Sequence, residues 1–105
     1  MKYKVGDKIR IKTWEELEEE YGLNKNKNIN LRIGNIQFVR EKEKYLNKNF
    51  PNRIVEVTKV KERVFCYASK DCSFWEWTDE MIEGLADELK ERERIKSRFD
   101  ILDIR

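Results

Sequence analysis

Three short runs rich in β-branched and aromatic residues follow one another between Arg53 and Trp77, and their spacing leaves the chain few ways to fold. Arg53–Lys61 and Arg63–Ala68 carry the Val, Ile, Phe and Tyr that suit a half-buried pleated surface, and the Lys61-Glu62 step between them fits a hairpin. Ser69-Lys70-Asp71-Cys72 supplies a second turn, and Ser73–Trp77 is the next strand. The pattern predicts an antiparallel meander. Such a ribbon is stable only with its apolar face packed on something else, so the rest of the chain has to supply a cover.

The upstream segment offers one. Lys4–Lys12 alternates as a strand, with Val5, Ile9 and Ile11 facing inward and Gly6-Asp7 as a turn or bulge at its beginning. Thr13-Trp14-Glu15-Glu16 has the form of a capping box, in which hydroxyl and carboxylate each satisfy a free backbone N–H. The helix it starts runs to Tyr21, where Gly22 provides the left-handed stop. Glu15, Glu16 and Glu18 lie near its positive end. Asn24-Lys25-Asn26-Lys27-Asn28-Ile29-Asn30 has no hydrophobic period and reads as a loop. Phe38, Lys42, Tyr45 and Leu46 recur at helical spacing and predict a second helix over Phe38–Asn47, stopped by Phe50-Pro51-Asn52.

Downstream, Thr78-Asp79-Glu80-Met81 repeats the N-cap chemistry. Ile82, Leu85, Leu89, Ile95 and Phe99 then form one helical stripe interrupted by Arg92. Gly84 weakens that helix by about 1 kcal/mol relative to Ala, which leaves open a single turn followed by a separate helix. Phe99–Arg105 fits either a helix end or a closing strand.

With 105 residues the chain has material for one core. Its three Trp, four Tyr and five Phe separate it from disordered chains of similar charge. The charge is segregated: residues 14–22 carry five Glu and no base, residues 24–63 eleven bases against four acids, and residues 64–89 seven acids against one base. Polarity of this kind can steer a charged partner to one side of the molecule. Two cysteines, Cys66 and Cys72, are too few for a disulfide scaffold and are expected as reduced thiols, one of them buried. No run approaches the roughly 18 apolar residues of a membrane span. Met1-Lys2-Tyr3-Lys4 leads into Val5-Gly6-Asp7 without a secretory core, so the expected location is cytoplasmic, away from any membrane.

Three pieces carry a resemblance: Lys4-Val5-Gly6-Asp7-Lys8-Ile9-Arg10-Ile11-Lys12-Thr13-Trp14-Glu15-Glu16-Leu17, Asn52-Arg53-Ile54-Val55-Glu56-Val57 and Trp75-Glu76-Trp77-Thr78-Asp79-Glu80-Met81-Ile82. Together they resemble the small SH3-like barrel proteins of Gram-positive phages and prophages, over most of residues 4–83. The resemblance implies a small SH3-like β-barrel with inserted short helices; with the C-terminal helix that the apolar stripe predicts over residues 84–105, the expected fold class is α+β and the whole of 1–105 is one domain. The chain departs from that pattern at Asn52, where a Gly often begins the second strand, and in the charged segment after Gly84, which replaces the usual closing strand.

No chemistry is marked. Without His, and with no cysteine cluster, neither a zinc site nor a His-based acid/base pair can be assembled. No phosphate loop or nucleophile elbow is present. The expectation is therefore a non-enzymatic protein with no cofactor that acts by stoichiometric binding. The resemblance makes its partner a host or defence protein, such as a CRISPR nuclease that it inhibits. The aromatic strands are the candidate surface. Phe74 should point to one face and Trp75 and Trp77 to the other, while on the neighbouring strand Phe65 and Tyr67 oppose Val64 and Cys66, so that both faces are apolar. Trp75, Trp77, Phe65 and Tyr67 are the candidate partner-binding residues. The alternative is nucleic-acid binding through the basic region 24–63, with Arg40, Lys42, Lys44, Lys48, Arg53 and Lys59 as the phosphate contacts and Lys25 and Lys27 beside them. A homodimer held by the C-terminal helix is a third possibility.

Overall fold

The capping box forms as read. The Thr13 hydroxyl accepts from the Glu16 N–H at 3.1 Å and the Glu16 carboxylate accepts from the Thr13 N–H at 3.1 Å. Helix α1 (Trp14–Tyr21) follows and ends where Gly22, at φ +74°, donates to the Glu18 carbonyl. These observations come from a computed structural model that describes residues 2–32, 36–69 and 72–92, and only the backbone of 72–74.

Strand β1 (Lys8–Ile11) precedes α1, and Gly6 makes the turn before it at φ +95°. Helix α2 (Arg40–Asn49) lies two residues later than the sequence predicts. Phe38 is not its first residue but forms a bridge with Ile29, which ties the Asn/Lys loop to the domain. The meander follows as β2 (Ile54–Lys61), β3 (Cys66–Ser69) and β4 (Cys72–Trp77), and β5 (Ile82–Leu85) ends the sheet. The strand order is β4-β3-β2-β1-β5, antiparallel throughout. The domain is thus a small α+β fold with an open five-stranded sheet. The β2–β3 register slips between Val57 and Lys59, where Thr58 and Lys59 are both exposed; a bulge of this kind bends a strand.

Strand β5 corrects the expectation of one long helix starting at Thr78. Asp79–Met81 is a single 3-10 turn, and Thr78 makes no side-chain cap. Ile82 then pairs with Ile11 and Gly84 with Arg10. Gly84 is a poor helix former and Ile82 a good strand former, and pairing satisfies backbone groups on the free side of β1. Residues 86–92 form the third helix, α3. It doubles back so that Leu89 lies 3.7 Å from where a Gly84 Cβ would stand. Ile95, Phe99 and the rest of 93–105 lie outside the described residues, as does the Phe74 side chain.

One core joins these elements: Ile9 and Ile11 of β1, Trp14 and Leu17 of α1, Phe38, Leu46 of α2, Val55 and Val57 of β2, Tyr67, Trp77, Met81 and Ile82. The inward set of β1 is the Ile9/Ile11 pair expected; Val5 is exposed in the turn before it.

Candidate functional site

The β2–β3 connection is not the two-residue step at Lys61-Glu62. A 3-10 turn occupies Glu62–Val64, and Phe65 closes it in the left-handed region, φ 54° and ψ 44°, with its N–H donating to the Glu62 carbonyl. A bulky residue avoids this conformation, because its Cβ crowds the following carbonyl, at roughly 1–2 kcal/mol. The ring does not join the core in return. Phe65 is 57% exposed and Val64 49%, among the few large apolar side chains left in water. The two form an apolar knob flanked by exposed Glu62 and Arg63.

Beneath the knob lies a polar anchor. Cys66, the first residue of β3, is a buried free thiol whose Sγ donates to Glu76 Oε2 at 2.9 Å. Lys61, at the end of β2, bridges to the same oxygen at 2.8 Å. Burial, followed by the Glu76 hydrogen bond and charge, pushes the Cys66 thiol up to about 11. The Cys66 hydrogen bond and then Lys61 hold the Glu76 carboxyl below its ordinary range, and the Glu76 hydrogen bond raises Lys61. A protonated, buried thiol is a poor nucleophile, so this cluster holds the hairpin's shape.

The four candidate aromatics separate. Tyr67 and Trp77 are both 0% exposed. They pair across β3 and β4, the Tyr67 hydroxyl donating to Asp79 at 2.7 Å and the Trp77 indole N–H to Ser69 at 3.1 Å. The expectation that both would join a partner surface is corrected: the bend of the sheet lets one core enclose them. Trp75 is half-buried against that core. Phe65 alone stands clear, and it stands on a turn, not on the strand that alternation suggested. Val64, assigned by alternation to the opposite face, is its neighbour on the knob. No Gly or Asn marks position 65, so nothing in the local sequence signals the left-handed residue.

The basic set separates too. Lys42 is only 2% exposed. Its ammonium donates to the carbonyls of Gln37 and Glu76 at 2.8 and 2.7 Å and lies 5.1–5.7 Å from the ring centres of Phe38, Trp75 and Trp77. Arg53 spends all five guanidinium N–H groups internally. Nε donates to Ile11 O, Nη1 to Glu43 and Asn47, and Nη2 to Lys12 O and Glu43, the last at 2.7 Å. Both are therefore corrected from phosphate contacts to internal clips. Helical periodicity showed Lys42 on the buried stripe, but its Glu76 carbonyl partner is long-range and invisible to local pattern. Arg40, Lys44 and Lys48 recur every four residues along the exposed side of α2, with the Arg40 guanidinium stacked 3.8 Å from the Trp14 ring centre. Lys59 is exposed on β2.

Among the described residues no three His, Cys, Asp or Glu side chains are grouped to hold a metal ion, and no helix is long and apolar enough to cross a membrane. No family model, curated protein or solved structure matches the chain.

Proposed function

We propose that this protein is a non-enzymatic binding module of SH3-like architecture that engages a protein partner stoichiometrically through the Val64–Phe65 knob. The single observation that carries this reading is a left-handed phenylalanine with more than half of its surface in water: it costs conformational energy, stays outside the core, and presents a ring of the type that fills a partner's pocket. Arg63 beside the ring and the exposed Lys59 on the same hairpin favour a partner whose apolar pocket has an acidic rim. The SH3-like reading is supported by the bend of β2, which divides the ladder into β1/β2/β5 and β2/β3/β4 halves, and by the one-turn 3-10 helix before the last strand. Asn52 at φ 61° also supports it, since Asn is the residue that best replaces Gly in that conformation. With the resemblance to phage proteins, the partner is a host or defence protein and the outcome of binding its inhibition.

The test uses immobilised wild-type protein and a Val64→Ser/Phe65→Asn variant as baits in a low-GC Gram-positive lysate. The expected result is a protein retained at high salt by the wild type, lost from the variant, and forming a 1:1 complex by sedimentation. Identical retention by the two baits, or self-association as the only complex, overturns the reading.

The α2 stripe favours a second reading. Arg40, Lys44 and Lys48 lie on one exposed line suited to track a phosphate backbone. It predicts RNA or DNA binding that falls steeply with salt and disappears in Lys44→Glu/Lys48→Glu. Undetectable binding at low salt removes it.

A further inference from the structure

The outward face of β1 carries Lys8 and Arg10, two residues apart and opposite the buried Ile9/Ile11 pair. Arg10 pairs with Ile54 on one side and Gly84 on the other. Helix α3, folded back over β5, raises a wall beside them. The result is an open cleft of about 630 Å³ lined, among the described residues, by Lys8, Arg10, Asn52, Arg53, Ile54, Ala86, Asp87 and Lys90. Its lining holds four cations and one carboxylate, whereas the chain as a whole is near neutral at +2. Glu83 pairs with Arg10 and Glu43 with Arg53, so the charge that remains to the lining is Lys8 and Lys90 against Asp87.

These cations differ in what they have left to give. Arg53 is fully committed to its internal partners, and Arg10 is held in a fork by Glu83 at 2.9 and 3.0 Å. No salt bridge engages Lys8 or Lys90 among the described residues, and both are exposed. Glu56 stands opposite Lys8 across the β1–β2 pair without bridging to it and is not part of the lining. Asn52, left-handed at φ 61° and exposed, makes no side-chain hydrogen bond among the described residues and presents a free amide at the rim. The neighbouring Arg53 clip fixes the backbone of this corner, and with it the root of the Asn52 side chain.

From these placements we infer that the cleft is a nucleotide-binding site. Two ammonium groups on separate elements, with the Asn52 amide in the same lining, suit the oxygens of a phosphate group. The Asp87 carboxylate, which would repel a bare anion, suits a ligand that also brings a hydroxyl or amino donor, as a sugar or base does. Ile54, Ala86 and the lysine stems supply a patch of apolar surface for a ring, and the volume falls in the range of small-ligand sites and far above that of a single ion. The cleft lies at the start of β2 and the knob at its end, so this site is independent of the protein contact proposed above.

The test is amide-resolved NMR titration of the full chain with ADP, with inorganic pyrophosphate and with a dT oligonucleotide. Saturable shifts at Lys8, Arg10, Ile54 and Lys90 are expected with ADP, weaker ones with pyrophosphate. Lys8→Glu/Lys90→Glu should weaken ADP by at least about tenfold while leaving the melting curve in place, because neither side chain holds the fold. Asp87→Asn should narrow the gap between ADP and pyrophosphate. Tighter binding of ADP than of the oligonucleotide assigns a free nucleotide; the reverse assigns a nucleotide within a strand. No saturable shift up to about 10 mM ADP, or shifts confined to 40–48 on α2, overturns the inference.

Discussion

The two ends of β2 are both left-handed corners without glycine, and they are resolved in opposite ways. Before the strand, Asn52 and Arg53 sit at φ 61° and 60°. Arg53 answers that strain with five hydrogen bonds that join the corner to α2 and to the end of β1. After the strand, Phe65 is also left-handed, but its side chain stays outside the core and is 57% exposed. Strain that secures packing explains itself through the fold. Strain that exposes an apolar ring has no such account within the monomer, which is why the knob and not the corner carries the proposed protein contact.

The sharpest way to break this comparison is to remove the compensation at the first corner. Arg53→Ala leaves the largely buried Glu43 carboxylate with the Asn47 amide as its remaining side-chain donor and takes the guanidinium from the Ile11 and Lys12 carbonyls. Removing one partner of a buried pair costs about 3–5 kcal/mol, a large share of what a small domain has. Urea denaturation should show that loss, and Arg53→Lys should recover only part of it, since an ammonium cannot reach both carboxylate oxygens and two carbonyls in one plane. A loss below about 1 kcal/mol would mean that the corner's geometry comes from elsewhere.

A second contrast lies in what anchors each end. A guanidinium keeps its proton at any pH a folded protein meets, whereas the knob rests on the Cys66–Glu76–Lys61 cluster. Cys66 ordinarily titrates near 9.0 and is pushed up to about 11 in the fold. Because the folded value is the higher one, its contribution is complete below about pH 9, fades as the pH rises towards 11, and amounts to something on the order of 2 kcal/mol. Lys61, also raised by Glu76, fades in the same direction. Tyr67, raised to about 12 mainly by burial, joins above pH 10. In a Cys72→Ser background, amide protection at 61–66 should therefore fall before protection at 51–56 as the pH passes 9. Cys66→Ser, whose hydroxyl does not titrate in this range, should delay that onset. Simultaneous loss at both ends would show that the thiol is not what anchors the hairpin.

The knob itself offers a smaller effect with an opposite sign. Phe65→Asn places a residue tolerant of φ 54° where the ring is more than half exposed and outside the core, so stability should stay level or rise by up to about 1 kcal/mol. Partner binding should vanish in the same variant. A gain in stability together with a loss of binding is the signature of strain kept for a contact. Destabilisation by more than about 1 kcal/mol would instead make Phe65 part of the packing.

What could be read in advance followed contact range. The capping box, Gly22, the meander and the inward Ile9/Ile11 pair are local, because each rests on residues within a turn or an alternating run, and all were legible. Strand β5 was not, since Ile82 and Leu85 also fall on a helical stripe and only their pairing with β1, some seventy residues away, decides the matter. The basic residues failed as a set for the same reason. Lys42 and Lys44 look alike in sequence, but the first faces carbonyls of Gln37 and Glu76 and the second faces water. Trp77 and Phe65 divide similarly: the bend of β2 encloses one ring, while a turn two residues longer than expected ejects the other.

The smallest expected effect tests whether the rest of the basic set matters to the fold at all. Lys44 and Lys48 are exposed, and no salt bridge engages them among the described residues. Lys44→Glu/Lys48→Glu should change stability by no more than about 0.5 kcal/mol, the usual limit for surface substitutions. The new carboxylates near the C-terminal half of α2 oppose the helix dipole, so any change should be a loss, and added salt should screen it. Lys42→Met, one turn away on the buried side, strands two carbonyls that its ammonium now satisfies and should cost about 2 kcal/mol. Thermal melts of the two variants at matched salt measure that difference directly. If the pair on the exposed stripe proved as costly as the single buried lysine, the stripe would be part of the fold's own ion-pairing, and a phosphate backbone would have no claim on it.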